Sequence, residues 1–61
     1  MGYHKVNLQD CLSVASPTEK IRLSMISDMA LLKALAKKWC DKNGYKLGGY
    51  LGNDKWDASI L

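Results

Sequence analysis

His4 is the only histidine in the 61-residue chain, and it heads a short inventory of side chains that could do chemistry. Acid–base or nucleophilic catalysis needs a second group within hydrogen-bond reach. No nucleophile or carboxylate stands at a usable spacing from His4, which is expected in a mobile terminus. The acids Asp10, Glu19, Asp28, Asp41, Asp54 and Asp57 are scattered, without the spacing of a metal-binding loop. Cys11 and Cys40 are too few and too far apart for a disulfide scaffold or a zinc site. They are expected as small buried hydrophobes in a reducing compartment, with a Cys11–Cys40 bridge as the alternative. Gly44, Gly48, Gly49 and Gly52 lack the spacing and the following helix of a phosphate-cradling loop, and are expected in turns. The chain is therefore expected to be no enzyme, with no catalytic residue, no metal and no cofactor.

Contact is the chemistry that remains. Nine basic against six acidic residues give a net charge of +3, a mild bias compatible with nucleic acid or an acidic protein surface. Only Arg22 offers the guanidinium suited to bidentate phosphate or base contacts. Lys33 and Lys37 lie one helical turn apart, as do Lys38 and Lys42, so these four could reach phosphates while Tyr50, Asn53 and Lys55 touch the adjacent backbone. For a protein partner, Leu23, Ile26, Leu31 and Ala34 offer more apolar surface than three short helices need to bury. Tyr45, Tyr50 and Trp56 add large amphipathic rings of the kind that anchor interfaces. The protein-binding candidates are Leu31, Ala34, Tyr45 and Tyr50. The simplest role for Trp39 and Trp56 is to fill a core.

The elements that must position these residues centre on 16–44. Ser16 can cap a helix, Pro17 suits its first position and Glu19 completes a capping box. Lys37, Lys38 and Lys42 favour the negative end of the helix dipole, and Gly44 can stop the helix in the left-handed conformation. Wound as one helix, the stretch puts Ile21, Met25, Met29, Leu32, Leu35, Ala36 and Trp39 on one side, but also brings Asp28 there. A break between Ser27 and Asp28 removes the conflict by making the carboxylate an N-cap. Two helices, about 17–26 and 28–43, are predicted, the alternative being one long helix buried on two sides. Upstream, Asn7 caps a first helix of about 8–14, with Leu8, Cys11, Leu12 and Ala15 on one face and Asp10 in the first turn. Residues 1–6 read as either a frayed end or a short strand.

After Gly44 the apolar period changes from about 3.6 residues to about 2. Tyr45, Leu47, Gly49 and Leu51 alternate with polar or small residues, Gly52, Asn53 and Asp54 supply a turn, and Trp56, Ala58 and Ile60 alternate again. A hairpin over about 45–60 follows, with Trp56 and Ile60 facing the helices and the glycines marking a loop or bulge. The whole is one small α+β domain, 1–61, of three short helices and a C-terminal β-hairpin.

That order resembles the winged-helix domain, and DMALLKALAKKWCDKNGYKL is similar to the third helix running into the wing of many bacterial and phage regulators. The resemblance implies a groove-facing third helix, although its first residues, Ser27, Asp28, Met29 and Ala30, are acidic and apolar where base-reading residues would be expected. The reading preferred here is a non-enzymatic binding protein: a phage- or mobile-element-type inhibitor or regulator that occludes a surface of a host protein or nucleoprotein complex. A winged-helix-like DNA-binding regulator is the alternative. A homodimer is a further expectation for so short a chain, which buries only about 60% of its unfolded surface. With no apolar run near the roughly 20 residues that span a bilayer and no signal-peptide core, a cytoplasmic location without membrane contact is expected.

Overall fold

The computed structural model describes residues 2–61 and arranges them as β1 (Tyr3–Val6), α1 (Leu8–Ser13), α2 (Pro17–Met25), α3 (Met29–Asn43), β2 (Tyr45–Gly52) and β3 (Lys55–Ile60). Each helix begins on a side chain that accepts a backbone N–H the helix itself leaves unpaired. At α1, Asn7 Oδ1 accepts from the Asp10 N–H at 2.9 Å, and the Asp10 carboxylate accepts from the Asn7 N–H at 3.3 Å. At α2, the Ser16 hydroxyl accepts from the Glu19 N–H at 3.2 Å and the Glu19 carboxylate from the Ser16 N–H at 2.8 Å. At α3, Asp28 Oδ1 accepts from the Leu31 N–H at 3.0 Å. A cap of this kind contributes about 1 kcal/mol.

The expected break is present. Ile26 is extended at φ −139° and ψ 155°, so the chain leaves α2 and re-enters a helix only at Met29. Gly44 ends α3 in the left-handed region at φ 79° and donates its N–H to the Cys40 carbonyl. A Cβ there would be strained.

The sheet is antiparallel with order β1-β3-β2. Residues Tyr3–Val6 are thus a strand, paired from Tyr3↔Ser59 to Val6↔Trp56, while Met1 lies outside the described residues. The α+β class stands, with one difference of order: a strand precedes the helices, and the hairpin is part of a three-stranded sheet. Asn53 and Asp54, at φ 51° and 58°, form the two-residue hairpin loop between the paired Gly52 and Lys55. Positive φ at both positions matches the right-handed twist of the flanking strands.

Three details of the hairpin depart from simple alternation, one of them a register shift at Leu51, which has no opposing residue between Tyr50↔Trp56 and Gly52↔Lys55. Between Leu47↔Ala58 and Tyr50↔Trp56, the two residues Gly48 and Gly49 oppose the single Asp57, which is a β-bulge. A Cβ at Gly48 would stand 3.0 Å from the Asp57 carbonyl oxygen, so this approach requires glycine. The bulge shifts the phase of β2 and brings Tyr50, not Gly49, opposite Trp56. Ile60 does not reach the helices either: it is 57% exposed, beyond the end of the covered sheet, while Trp56 and Ala58 are buried.

The core takes Val6 from β1, Cys11 from α1, Leu32, Leu35, Ala36 and Cys40 from α3, and Trp56 and Ala58 from β3. Helix α2 contributes no buried residue. Its Leu23 packs against the core from the margin, as do Leu31, Trp39, Tyr45 and Leu47. Cys11 and Cys40 are buried free thiols, and the Cys11 thiol points at the Leu32 carbonyl at 3.6 Å. No helix among the described residues is long and apolar enough to cross a membrane.

Candidate interaction surfaces

Helix α2 stands on the core by one edge only. With Leu23 turned inward, the geometry of about 100° per residue carries Ile21 and Met25 to the opposite side. They are 61% and 76% exposed, and Ile26, just past the helix, is 55% exposed. With Thr18 and Arg22 they line one shallow apolar hollow. The single charge there is held: Arg22 Nη2 lies 3.1 Å from Asp28 Oδ2, the oxygen that is not capping α3. The winding of 16–44 as one helix groups Ile21, Met25 and Met29 with Leu32, Leu35 and Ala36. Once the helix breaks, only the latter three are buried.

A second surface lies between α3 and β2. Met29, Ala30 and Lys33 on the helix face Gly48, Gly49 and Tyr50 on the strand across a hollow of about 400 Å³ floored by Trp56. Farther along the same two elements, Lys37 and Asp41 face Tyr45, Lys46 and Leu47. The four lysines of α3 therefore divide. Lys33 and Lys37 border this groove, Lys38 is close enough to Glu19 to stabilise its carboxylate, and Lys42 occupies the last turn. Glu19 ionises more readily than a free glutamate chiefly because the Ser16 N–H donates to it.

Three of the six acids are consumed locally and the lysines are not. Asp10, Glu19 and Asp28 all serve as helix-terminal acceptors. Among the described residues the ion pairs are His4–Asp10 and Arg22–Asp28, and no lysine has an acidic partner within contact distance. The positive field is thus carried by free ammonium groups.

The structure corrects the expectation for His4. Strand β1 fixes it, and its Nε2 stands 2.8 Å from Asp10 Oδ2, the carboxylate that caps α1. The imidazole stacks on Trp39 with centroids 4.5 Å apart and planes 17° off parallel, and Tyr45 follows at 5.5 Å from Trp39. A histidine paired with a carboxylate can orient and accept protons, but a reaction also needs a nucleophile or a bound group. Burial pushes the Cys11 thiol up to about 11 and raises that of Cys40, so neither is a thiolate near neutrality. Among the described residues no three His, Cys, Asp or Glu side chains are gathered to hold a metal ion.

The remaining sequence candidates fall in different places. Ala34 is exposed on α3, Leu31 packs against the core, and Tyr45 belongs to the aromatic stack. Tyr50 is 49% exposed; its hydroxyl accepts from the Asp54 N–H at 3.1 Å and its ring lies 4.9 Å from that of Trp56. Asn53 and Lys55 flank the hairpin turn, exposed. Ile21 and Met25 are absent from the sequence-derived binding set. The signal for them was the break itself, because two separate helices leave α2 with more apolar side chains than one short contact can cover. Comparison with protein-family models, curated proteins and solved structures gave no match.

Proposed function

We propose that the chain is a non-catalytic binding protein that acts by covering a surface of a partner protein or nucleoprotein complex, in the manner of small phage-type inhibitors. The observation that supports this reading most is α2: nine residues, none buried, with Ile21, Met25 and Ile26 held out to solvent by a well-capped helix. Anchors at i and i+4 on one helix face are the pattern that fits a hydrophobic groove on a partner. Such a contact would keep its strength in salt, because its charged neighbour Arg22 is already paired. The test is retention of a partner from native lysate on immobilised protein at about 0.5 M salt, where ionic contacts are screened within a few ångströms. Ile21→Asp with Met25→Asp should abolish retention while the circular dichroism spectrum is kept. Equal retention by the double variant would remove α2 from the reading.

Nucleic-acid binding is the second reading, and the unpaired lysines favour it. Lys33 and Lys37 on α3, with Asn53 and Lys55 at the hairpin, would contact phosphates. Affinity for duplex DNA would then fall steeply with salt and on Lys33→Glu plus Lys37→Glu.

A further inference from the structure

We infer that the groove between α3 and β2 is a docking site for an extended acidic peptide segment carrying one aliphatic side chain. Three independent features of the same groove point to this occupant, and none of them belongs to the α2 face.

The first is charge. Lys33 borders the apolar hollow, and Lys37 and Lys46 border the next hollow along the same two elements, where Asp41 is the acidic side chain; none of the three lysines has an acidic partner within contact distance. A carboxylate-bearing ligand would supply the missing partners. The second is backbone. β2 pairs only with β3, so its outer edge presents unpaired N–H and C=O groups beside the groove, and an extended peptide is the ligand that can bond to them. The third is the hollow itself. Met29, Tyr50 and Trp56 line about 400 Å³, and the paired glycines of the bulge put no side chain across it; a Cβ at Gly49 would meet nothing within 4 Å. That space accepts an aliphatic side chain.

Single-stranded nucleic acid shares the negative charge, but the groove suits it less well. Strand binders stack successive bases on exposed rings. Here Trp56 is only 3% exposed and Tyr45 is engaged with Trp39, so Tyr50 alone offers a face. A regular row of phosphates would also meet Asp41.

The experiment uses the full chain and three probes at one low salt concentration: the peptide acetyl-Glu-Asp-Leu-Asp-Glu-amide, the same peptide with glycine for leucine, and a ten-nucleotide oligothymidine. Amide NMR shifts locate binding and their titration measures affinity. The leucine peptide should shift Met29, Lys33, Gly49 and Tyr50 and bind about fivefold more tightly than the glycine peptide, the effect of partly burying one aliphatic side chain. Lys33→Glu with Lys37→Glu should weaken it by about tenfold or more. Lys5→Glu with Lys20→Glu makes the same change in net charge away from the groove and should weaken it far less. Ala30→Trp keeps every charge and fills the hollow, so it should remove the preference for leucine. Equal binding of the two peptides, equal loss in the two lysine pairs, shifts confined to other surfaces, tighter binding of the oligothymidine, or no binding of any probe would each overturn the inference. No variant of Ile21, Met25 or Ile26 enters this measurement, and Lys20, although on α2, does not line their hollow, so its failure and that of the α2 reading are separable.

Discussion

Helices α2 and α3 follow each other in the chain, are both amphipathic and are both well capped, yet one buries four side chains and the other none. α3 lies across the sheet with Leu32, Leu35, Ala36 and Cys40 in the core, so its conformation is enforced by packing. α2 has nine residues, fewer than the roughly 12–15 at which isolated helices become marginally stable. It is held by its ends, through the Ser16–Glu19 box, Pro17 and the Arg22–Asp28 pair at the joint, and by Leu23. Two helices with similar sequence patterns thus hold different positions in the energetics: α3 stabilises the domain, whereas the outer face of α2 is surplus to it. That surplus is what supports the proposal of α2 as the contact element.

The largest expected effect tests the α3 half of this contrast. Leu35 is 2% exposed, and Leu35→Ala should cost about 2–4 kcal/mol, measured by urea denaturation. A 61-residue domain is expected to have only about 3–9 kcal/mol in all, so the variant should be partly unfolded at 37 °C. A loss below about 1 kcal/mol would mean that the core is not where α3 meets the sheet.

The next effect is alkaline and also belongs to the core. The Cys11 thiol is raised by burial from 9.0 to about 11, so the folded state holds its proton more tightly than the unfolded chain. The unfolded state therefore releases the proton first. Stability is fully present below about pH 9 and should be lost progressively as pH rises toward 11, by on the order of 2 kcal/mol. Cys11→Ala should lower stability at neutral pH and flatten that alkaline decline. An unchanged slope would place the responsible group elsewhere.

The caps come third, and here the two helices should respond alike. Asp28→Ala removes the α3 cap and the partner of Arg22; the expected cost is about 1 kcal/mol, nearly all from the cap, since Arg22 is largely exposed. For α2, the lowered pKa of Glu19 means a contribution present above the ordinary glutamate range and lost as pH falls through its folded value. Replacing Ser16 with Ala should reduce that acid dependence.

These caps were readable in the sequence because each is a contact between residues three or four apart. Ser16 with Glu19, Asp28 after the break and Gly44 at the stop need no knowledge of the rest of the chain. The pairing of β1 was not readable in the same way, since Tyr3 meets Ser59 across almost the whole chain, and His4 acquires Asp10 only after β1 has been placed. The bulge was legible only as an anomaly of glycines; its geometry comes from Asp57 on the other strand. Periodicity likewise shows that a helix has an apolar face but not whether anything in the domain covers it. For α3 the sheet does so, and for Ile21 and Met25 nothing among the described residues does. The lysines of α3 were visible as a set, whereas their division between a groove and the neighbourhood of Glu19 required the placement of β2 and α2.

The smallest expected effect is the one that decides the contrast. Ile21→Asp and Met25→Asp replace exposed apolar side chains on a helix that buries none, so each should change folding stability by no more than about 0.5 kcal/mol. Aspartate is a poorer helix former than either residue, by a few tenths of a kcal/mol, and Met25 lies in the last turn, where a negative charge opposes the helix dipole. A small loss at Met25 larger than that at Ile21 is therefore expected from the backbone alone. Ile21→Ala is the cleaner comparison, since alanine removes the apolar side chain while favouring the helix; stability should stay level or rise slightly. If Ile21→Ala instead costs 2 kcal/mol or more, a cost typical of a buried isoleucine, α2 is covered in solution. A loss that grows on dilution would identify a second copy of the chain as the cover, because only an intermolecular contact makes stability depend on concentration.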